Sequence, residues 1–121
     1  MARILIVDDS PTETFKMTEL LKKNGHLVST AGGGEEGVEL AKKELPDLVL
    51  MDVVMPGING FQATRQITRN PSTSEIPVII VTTKDQETDR LWGKRQGASG
   101  FLTKPIDEKL LMKTIQENLA G

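Results

Sequence analysis

Apolar residues arrive along this chain in short, regularly spaced bursts. Five segments carry them: "RILIVD" (3–8), "HLVSTA" (26–31), "DLVLMD" (47–52), "PVIIVT" (77–82) and "GFLTK" (100–104). The first, third and fourth are near-continuous runs of Ile, Leu and Val, the pattern of parallel strands buried on both faces. The second contains Ser29 and Thr30 and is less apolar, which places it at a sheet edge.

Helical signals fill the gaps. Ser10-Pro11-Thr12-Glu13 reads as a capping box with Pro at the first helical position. Phe15, Met17, Leu20 and Leu21 supply the apolar side of that helix, and Asn24-Gly25 ends it. Further helices are expected over 35–44, 61–69 and 86–96, the last with Asp85 as N-cap and Gly97 just past its end. A fifth begins after Asp107, with Leu110, Leu111, Ile115 and Leu119 on one stripe.

The order is therefore βαβαβαβαβα. Strict alternation predicts an α/β fold, a doubly wound five-stranded parallel sheet with right-handed crossovers and helices on both faces. The longest connection without periodicity, "NPSTSEIP" (70–77), is too short for a linker, so residues 1–121 are expected to form a single domain.

Composition narrows the function. The chain is 37% hydrophobic and 26% charged, ordinary for a soluble globular protein. A formal charge of −2 gives no argument for binding nucleic acid or an anionic membrane surface. The absence of cysteine excludes disulfides and thiolate metal sites and fits a reducing compartment. With the first strand expected from Arg3, no signal peptide is expected, and no apolar run is long enough for a helix that crosses a bilayer. A cytoplasmic location is the expectation.

In open parallel sheets, ligands bind beyond the carboxyl ends of the strands. Asp8 and Asp9 follow the first strand, Asp52 the third, Thr82 and Thr83 the fourth, and Thr103 and Lys104 the fifth. Taken singly, each is an ordinary turn, cap or solvated charge. Together they fall on one edge. Three carboxylates there would raise one another's pKa unless a cation sat among them. Hard oxygen donors suit Mg²⁺, which needs only a few carboxylates and keeps its waters. A carboxylate can also be the nucleophile in phosphoryl transfer, with Mg²⁺ and a lysine neutralising the transferring group and a threonine hydroxyl holding one of its oxygens. Asp52, on the central strand, is the expected nucleophile, leaving Asp8 and Asp9 to hold metal.

At these residues the chain resembles the receiver domain of two-component response regulators, a flavodoxin-like (βα)5 fold with strand order 2-1-3-4-5. The resemblance covers essentially the whole chain: Asp8-Asp9 after the first strand, Asp52 followed by "VVMPGINGF", Thr82 after "PVIIV", and Lys104-Pro105 after "GFLT". It implies that Asp8, Asp9, Asp52 and the backbone carbonyl of Val54 hold Mg²⁺. It implies also that Asp52 accepts phosphate from a histidine kinase, that Thr82 and Lys104 contact the phosphoryl oxygens, and that the Lys104–Pro105 bond is cis. The stretch "TTKDQETDRLWGKRQGASGFLTKP" (82–105) is similar to single-domain receivers of the chemotaxis-like systems that control type IV pilus twitching motility. No output domain is expected after the fifth helix, so the protein is expected to signal through another protein rather than act as an enzyme.

Family resemblance also makes Phe101 a switch residue. Phosphorylation adds negative charge and three acceptor oxygens. Thr82 is expected to move toward them and vacate space that Phe101 fills. Helix four has only Leu91 and Trp92 as large apolar residues and a Gly93 in its interior, so it should be loosely held. The fourth helix, fifth strand and fifth helix form the expected output face, with Lys94, Arg95, Lys109 and Lys113 making its surroundings basic. Receivers tune phosphate lifetime two positions beyond the acceptor and two beyond the threonine. Here those are Val54 and Lys84, next to Thr83. Neither is an acid or amide that could position water, so slow decay is expected.

One motif is set aside. "GGGEEG" (32–37) matches the dinucleotide fingerprint, with Asp52 twenty residues beyond Gly32, but its strand is the least apolar and no second nucleotide-binding half follows. A flexible loop before the second helix is the plainer reading. Three rivals remain. A flavin binder would need phosphate where "DDS" repels it. A small-molecule phosphatase would need a lid that 121 residues leave no room for. A phosphate sink for a partner receiver would use the same site.

Overall fold

The computed structural model describes residues 1–119; the last two residues of the expected 1–121 domain lie outside them. Five strands and five helices alternate: β1 (Arg3–Val7), α1 (Pro11–Lys23), β2 (Leu27–Ala31), α2 (Gly34–Glu44), β3 (Leu48–Met51), α3 (Gly60–Arg69), β4 (Val78–Thr82), α4 (Glu87–Arg95), β5 (Gly100–Thr103) and α5 (Glu108–Leu119). All strand pairs are parallel, in the order β2-β1-β3-β4-β5. This is the expected flavodoxin-like topology, with the less apolar β2 at an edge.

Successive side chains of a strand point to opposite faces, so each apolar run serves two cores. Ile4, Ile6, Leu48, Leu50, Ile79 and Val81 meet Met17 and Leu21 of α1 and Leu111 and Ile115 of α5. Leu5, Val7, Val49, Met51 and Val78 meet Val38 and Ala41 of α2 and Ala63 and Ile67 of α3. A smaller cluster of Val53, Phe61 and Ile80 lies beneath α4, with Phe101 partly buried against it.

Several local expectations need correction. The N-cap of α4 is Gln86, not Asp85: the Gln86 N–H donates to Asp89 Oδ2 at 3.2 Å, and the Asp89 N–H donates back to the Gln86 backbone carbonyl at 3.0 Å. At α1, Ser10 accepts from the Glu13 N–H, but its own N–H goes to Asp8 instead, so only half of the capping box forms. Phe15 is 66% exposed and Leu110 50% exposed, so neither belongs to its helix's buried stripe. Only Gly32 and Gly33 of the glycine-rich stretch lie in the loop before α2; Gly34 to Gly37 form its first turn, and both of those glycines are buried.

Helix α4 buries little of its surface. Among its residues only Gly93 is buried, and Leu91 and Trp92 are each about half exposed. Gly93 permits the contact that exists: a Cβ there would stand 2.8 Å from Ile80 Cδ1 and 3.4 Å from Phe101 Cδ2.

Candidate functional site

Beyond the carboxyl ends of β1, β3 and β5, three strand-end residues meet. Lys104 Nζ lies 2.9 Å from Asp8 Oδ2 and 3.4 Å from Asp52 Oδ2. The other oxygen of each carboxylate is fixed by backbone. Asp8 Oδ1 accepts from the Ser10 N–H at 2.9 Å, and Asp52 Oδ1 accepts from the Val53 N–H at 2.7 Å. Both acids are thus oriented from two sides. The Lys104–Pro105 peptide bond, immediately after β5, is cis.

Asp9 completes an acidic group. Oxygen atoms of Asp8, Asp9 and Asp52 all lie within 4.8 Å of one another, with Asp9 the exposed member. Beside Asp8 and Asp9 an open cleft of about 450 Å³ extends along Pro11, Thr14 and the exposed Phe15 to Thr30.

Burial and charge set the titration of the site. Burial pushes the Asp52 carboxyl above its ordinary 3.8 and the charge of Asp8 adds to this; the Lys104 ammonium and the Val53 N–H oppose them without cancelling them. For Lys104, burial works to lower the pKa. The hydrogen bond to Asp8 and the charges of Asp52, Asp8 and Glu13 outweigh it, holding the ammonium above its ordinary 10.5.

The remaining expected residues fall nearby with different exposures. Thr82 is fully buried at the end of β4, its hydroxyl accepting from the Lys84 N–H at 3.3 Å. Thr83 and Lys84 are exposed, and Lys84 Nζ is 3.9 Å from Asp89 Oδ1. Val54 carries a side chain that is 61% exposed. Phe101 pairs with Ile80 in the sheet, two positions before the Thr82–Thr103 pair.

Two contributors escaped the sequence. Arg90 places its guanidinium 5.0 Å from the centre of the Phe101 ring and donates to the Thr103 hydroxyl at 3.1 Å. No spacing along the chain signals that contact. Gly60 allows α3 to start against the acceptor strand: its N–H donates to the Val53 carbonyl at 2.9 Å, and a Cβ there would run into the Asp52 carbonyl oxygen. The glycines in "VVMPGINGF" were the available hint.

Comparison with known proteins agrees with this geometry. Residues 4–116 match the response regulator receiver domain. The chain is 68% identical to Protein PilH of Pseudomonas aeruginosa over 121 residues, covering 100% of both. It is 41% identical over 115 residues to the response regulator PleD of Caulobacter vibrioides, covering 95% of this chain and 25% of that longer protein. Among solved structures, Vibrio cholerae chemotaxis protein CheY4 superposes with a TM-score of 0.92 at 33% identity, covering 98% of this chain and 99% of the other. The receiver domain of a Pseudomonas aeruginosa sensor histidine kinase, solved with a magnesium ion coordinated in its active site cleft, gives a TM-score of 0.92 at 27% identity and covers 99% and 98%. On its match across 4–116, the chain belongs to the response regulator receiver domain family, the receivers of two-component signalling systems.

Proposed function

We propose that this receiver takes a phosphoryl group from a histidine kinase onto Asp52 and passes the signal on through protein contacts in the cytoplasm. The observation that carries the reading is the position of Asp52, within 4.8 Å of two further carboxylates and 3.4 Å from a buried lysine. Such a cluster is costly unless it serves a cation and an anionic group in turn.

The donor set fits Mg²⁺: three hard carboxylates, one of them exposed, and no cysteine in the chain. Asp8, Asp9, Asp52 and the Val54 carbonyl would hold it. When bound, the ion supplies positive charge that neutralises the phosphoryl oxygens. The chain's own residues do the rest. An Asp52 carboxylate oxygen attacks phosphorus as the phosphorus–nitrogen bond to the donor histidine breaks, and the electron pair leaves with the imidazole. Lys104, released from sharing its ammonium between two acids, pairs with a phosphoryl oxygen, and the Thr82 hydroxyl donates to another.

The switch follows from neighbouring packing. Thr82 leaves its Lys84 N–H partner, and Phe101, half-buried two positions back along β5 from the Thr103 that pairs with Thr82, turns into the space. Helix α4, in which only Gly93 is buried, responds, and a downstream protein reads the face formed by α4, β5 and α5. The 68% identity to Protein PilH supports a role in type IV pilus twitching motility. The test is incubation with acetyl phosphate and Mg²⁺. The expected result is a single phosphoryl mass increment that is lost in Asp52→Asn; an increment that survives the substitution overturns the assignment.

A further inference from the structure

The stretch "GGGEEG" is unused by this chemistry, yet it packs against the loop that follows Asp52. Residues 53–59 connect β3 to α3 and are closed at the base by the Gly60 N–H bond to Val53. Their far side is held by α2. A Cβ on Gly34 would lie 2.6 Å from Ile58 Cγ1 and 2.9 Å from its carbonyl oxygen, so α2 reaches the loop at backbone distance. Glu35 Oε2 accepts from the Ile58 N–H at 3.3 Å. The same carboxylate lies over Gly57, whose φ of +76° and missing side chain leave room for it: a Cβ there would stand 2.7 Å and 2.8 Å from its oxygens. Glu36, its neighbour, is committed elsewhere, to the Gly32 N–H at 2.7 Å.

From this we infer that Glu35 is a positioning residue: it latches the β3–α3 loop onto α2 and so fixes the backbone between Asp52 and Gly60, including the Val54 carbonyl, for cation binding. The inference rests on the reading of Asp52 and Val54 as Mg²⁺ ligands. Met55 and Ile58 hold the loop by apolar contact with α2 and α3, but such contacts leave its carbonyl directions adjustable. A charge-assisted hydrogen bond to one defined N–H removes that freedom. Orienting partners of this kind govern metal affinity without touching the ion.

The test compares wild type, Glu35→Ala and Glu35→Gln, the last retaining an acceptor oxygen at the same reach. Mg²⁺ is titrated into metal-free protein and followed by the amide resonances of Asp8, Asp9 and Val53, and hydrogen exchange of the Ile58 amide is measured without metal. Alanine is expected to raise the half-saturating Mg²⁺ concentration about tenfold and to speed Ile58 exchange, at an unchanged urea midpoint, with glutamine restoring most of both. Unchanged Mg²⁺ affinity in Glu35→Ala, or glutamine behaving as alanine, overturns the inference. If wild type itself gives no Mg²⁺ response, the reading of the metal site fails instead, and Ile58 exchange alone judges the latch: equal rates in wild type and Glu35→Ala overturn it.

Discussion

Lys104 Nζ lies 2.9 Å from Asp8 Oδ2, joining side chains 96 positions apart of which only 10% and 8% is exposed. The lysine is the cation that lets two buried acids coexist. Removing it strands them, and breaking a buried pair from one side is costly. Lys104→Met is expected to destabilise the metal-free protein by on the order of 3 kcal/mol at neutral pH. The raised pKa fixes the alkaline limit: the stabilisation from Lys104 is complete below 10.5 and is lost as pH climbs through the higher folded value. Urea denaturation across pH checks both, and a variant as stable as wild type at neutral pH refutes the role.

Asp52 carries the opposite burden. Its folded pKa is raised, so the stability linked to its protonation is complete below 3.8 and is lost as pH rises through the higher folded value. At neutral pH the ionised carboxylate therefore costs stability. Asp52→Asn is expected to raise the urea midpoint of metal-free protein at pH 7. Mg²⁺ should reverse the ranking, since a ligand at 100 times its dissociation constant stabilises wild type by about 2.7 kcal/mol. A variant less stable than wild type without metal would contradict this.

His26 gives an acid-side signature far from the site. Burial, with help from the N-terminal charge, holds its pKa below the ordinary 6.5, and its Nδ1 accepts from the Ala2 N–H at 3.1 Å. A protonated Nδ1 cannot accept. The stabilisation is thus complete above 6.5 and is lost as pH falls through the lower folded value. His26→Gln should remove this component, so the stability difference between variant and wild type changes with pH only below 6.5. A pH-independent difference would show that the imidazole is not the cause.

Strand runs and strand-end polar residues made the sheet and the acidic site legible, because burial on two faces and the strand-end rule leave little choice. What was missed depends on local capping choices, on the exact angle of each helix face and on contacts between elements. Asp85 has the better intrinsic N-cap propensity, but Gln86 has Asp89 three residues on to accept from its N–H. Phe15 and Leu110 sit beside buried stripes in sequence yet off them in angle, since the faces that bury are set by Met17 and Leu21 and by Leu111 and Ile115. The glycines of α2 are explained only by Ile58 and by Val7, whose Cγ2 would lie 2.7 Å from a Cβ on Gly37.

Phosphate lifetime on Asp52 is expected to depend on two exposed positions, Val54 and Lys84. Hydrolysis of an aspartyl phosphate needs a water aligned opposite the Asp52 oxygen, and an acid or amide at the rim would hold it. Val54 offers only an aliphatic side chain, 61% exposed. Lys84 offers an ammonium, 3.9 Å from Asp89, and a backbone N–H, both donors and neither an acceptor for water. Thr83 is exposed but can hold water only through a short hydroxyl. The phosphorylated protein is therefore expected to persist for minutes or longer once acetyl phosphate is removed. Lys84→Glu, which supplies a carboxylate at the same rim, should shorten that lifetime by at least about tenfold. Intact mass followed over time measures both, and loss within seconds in wild type, or no acceleration in the variant, would place control of the water elsewhere.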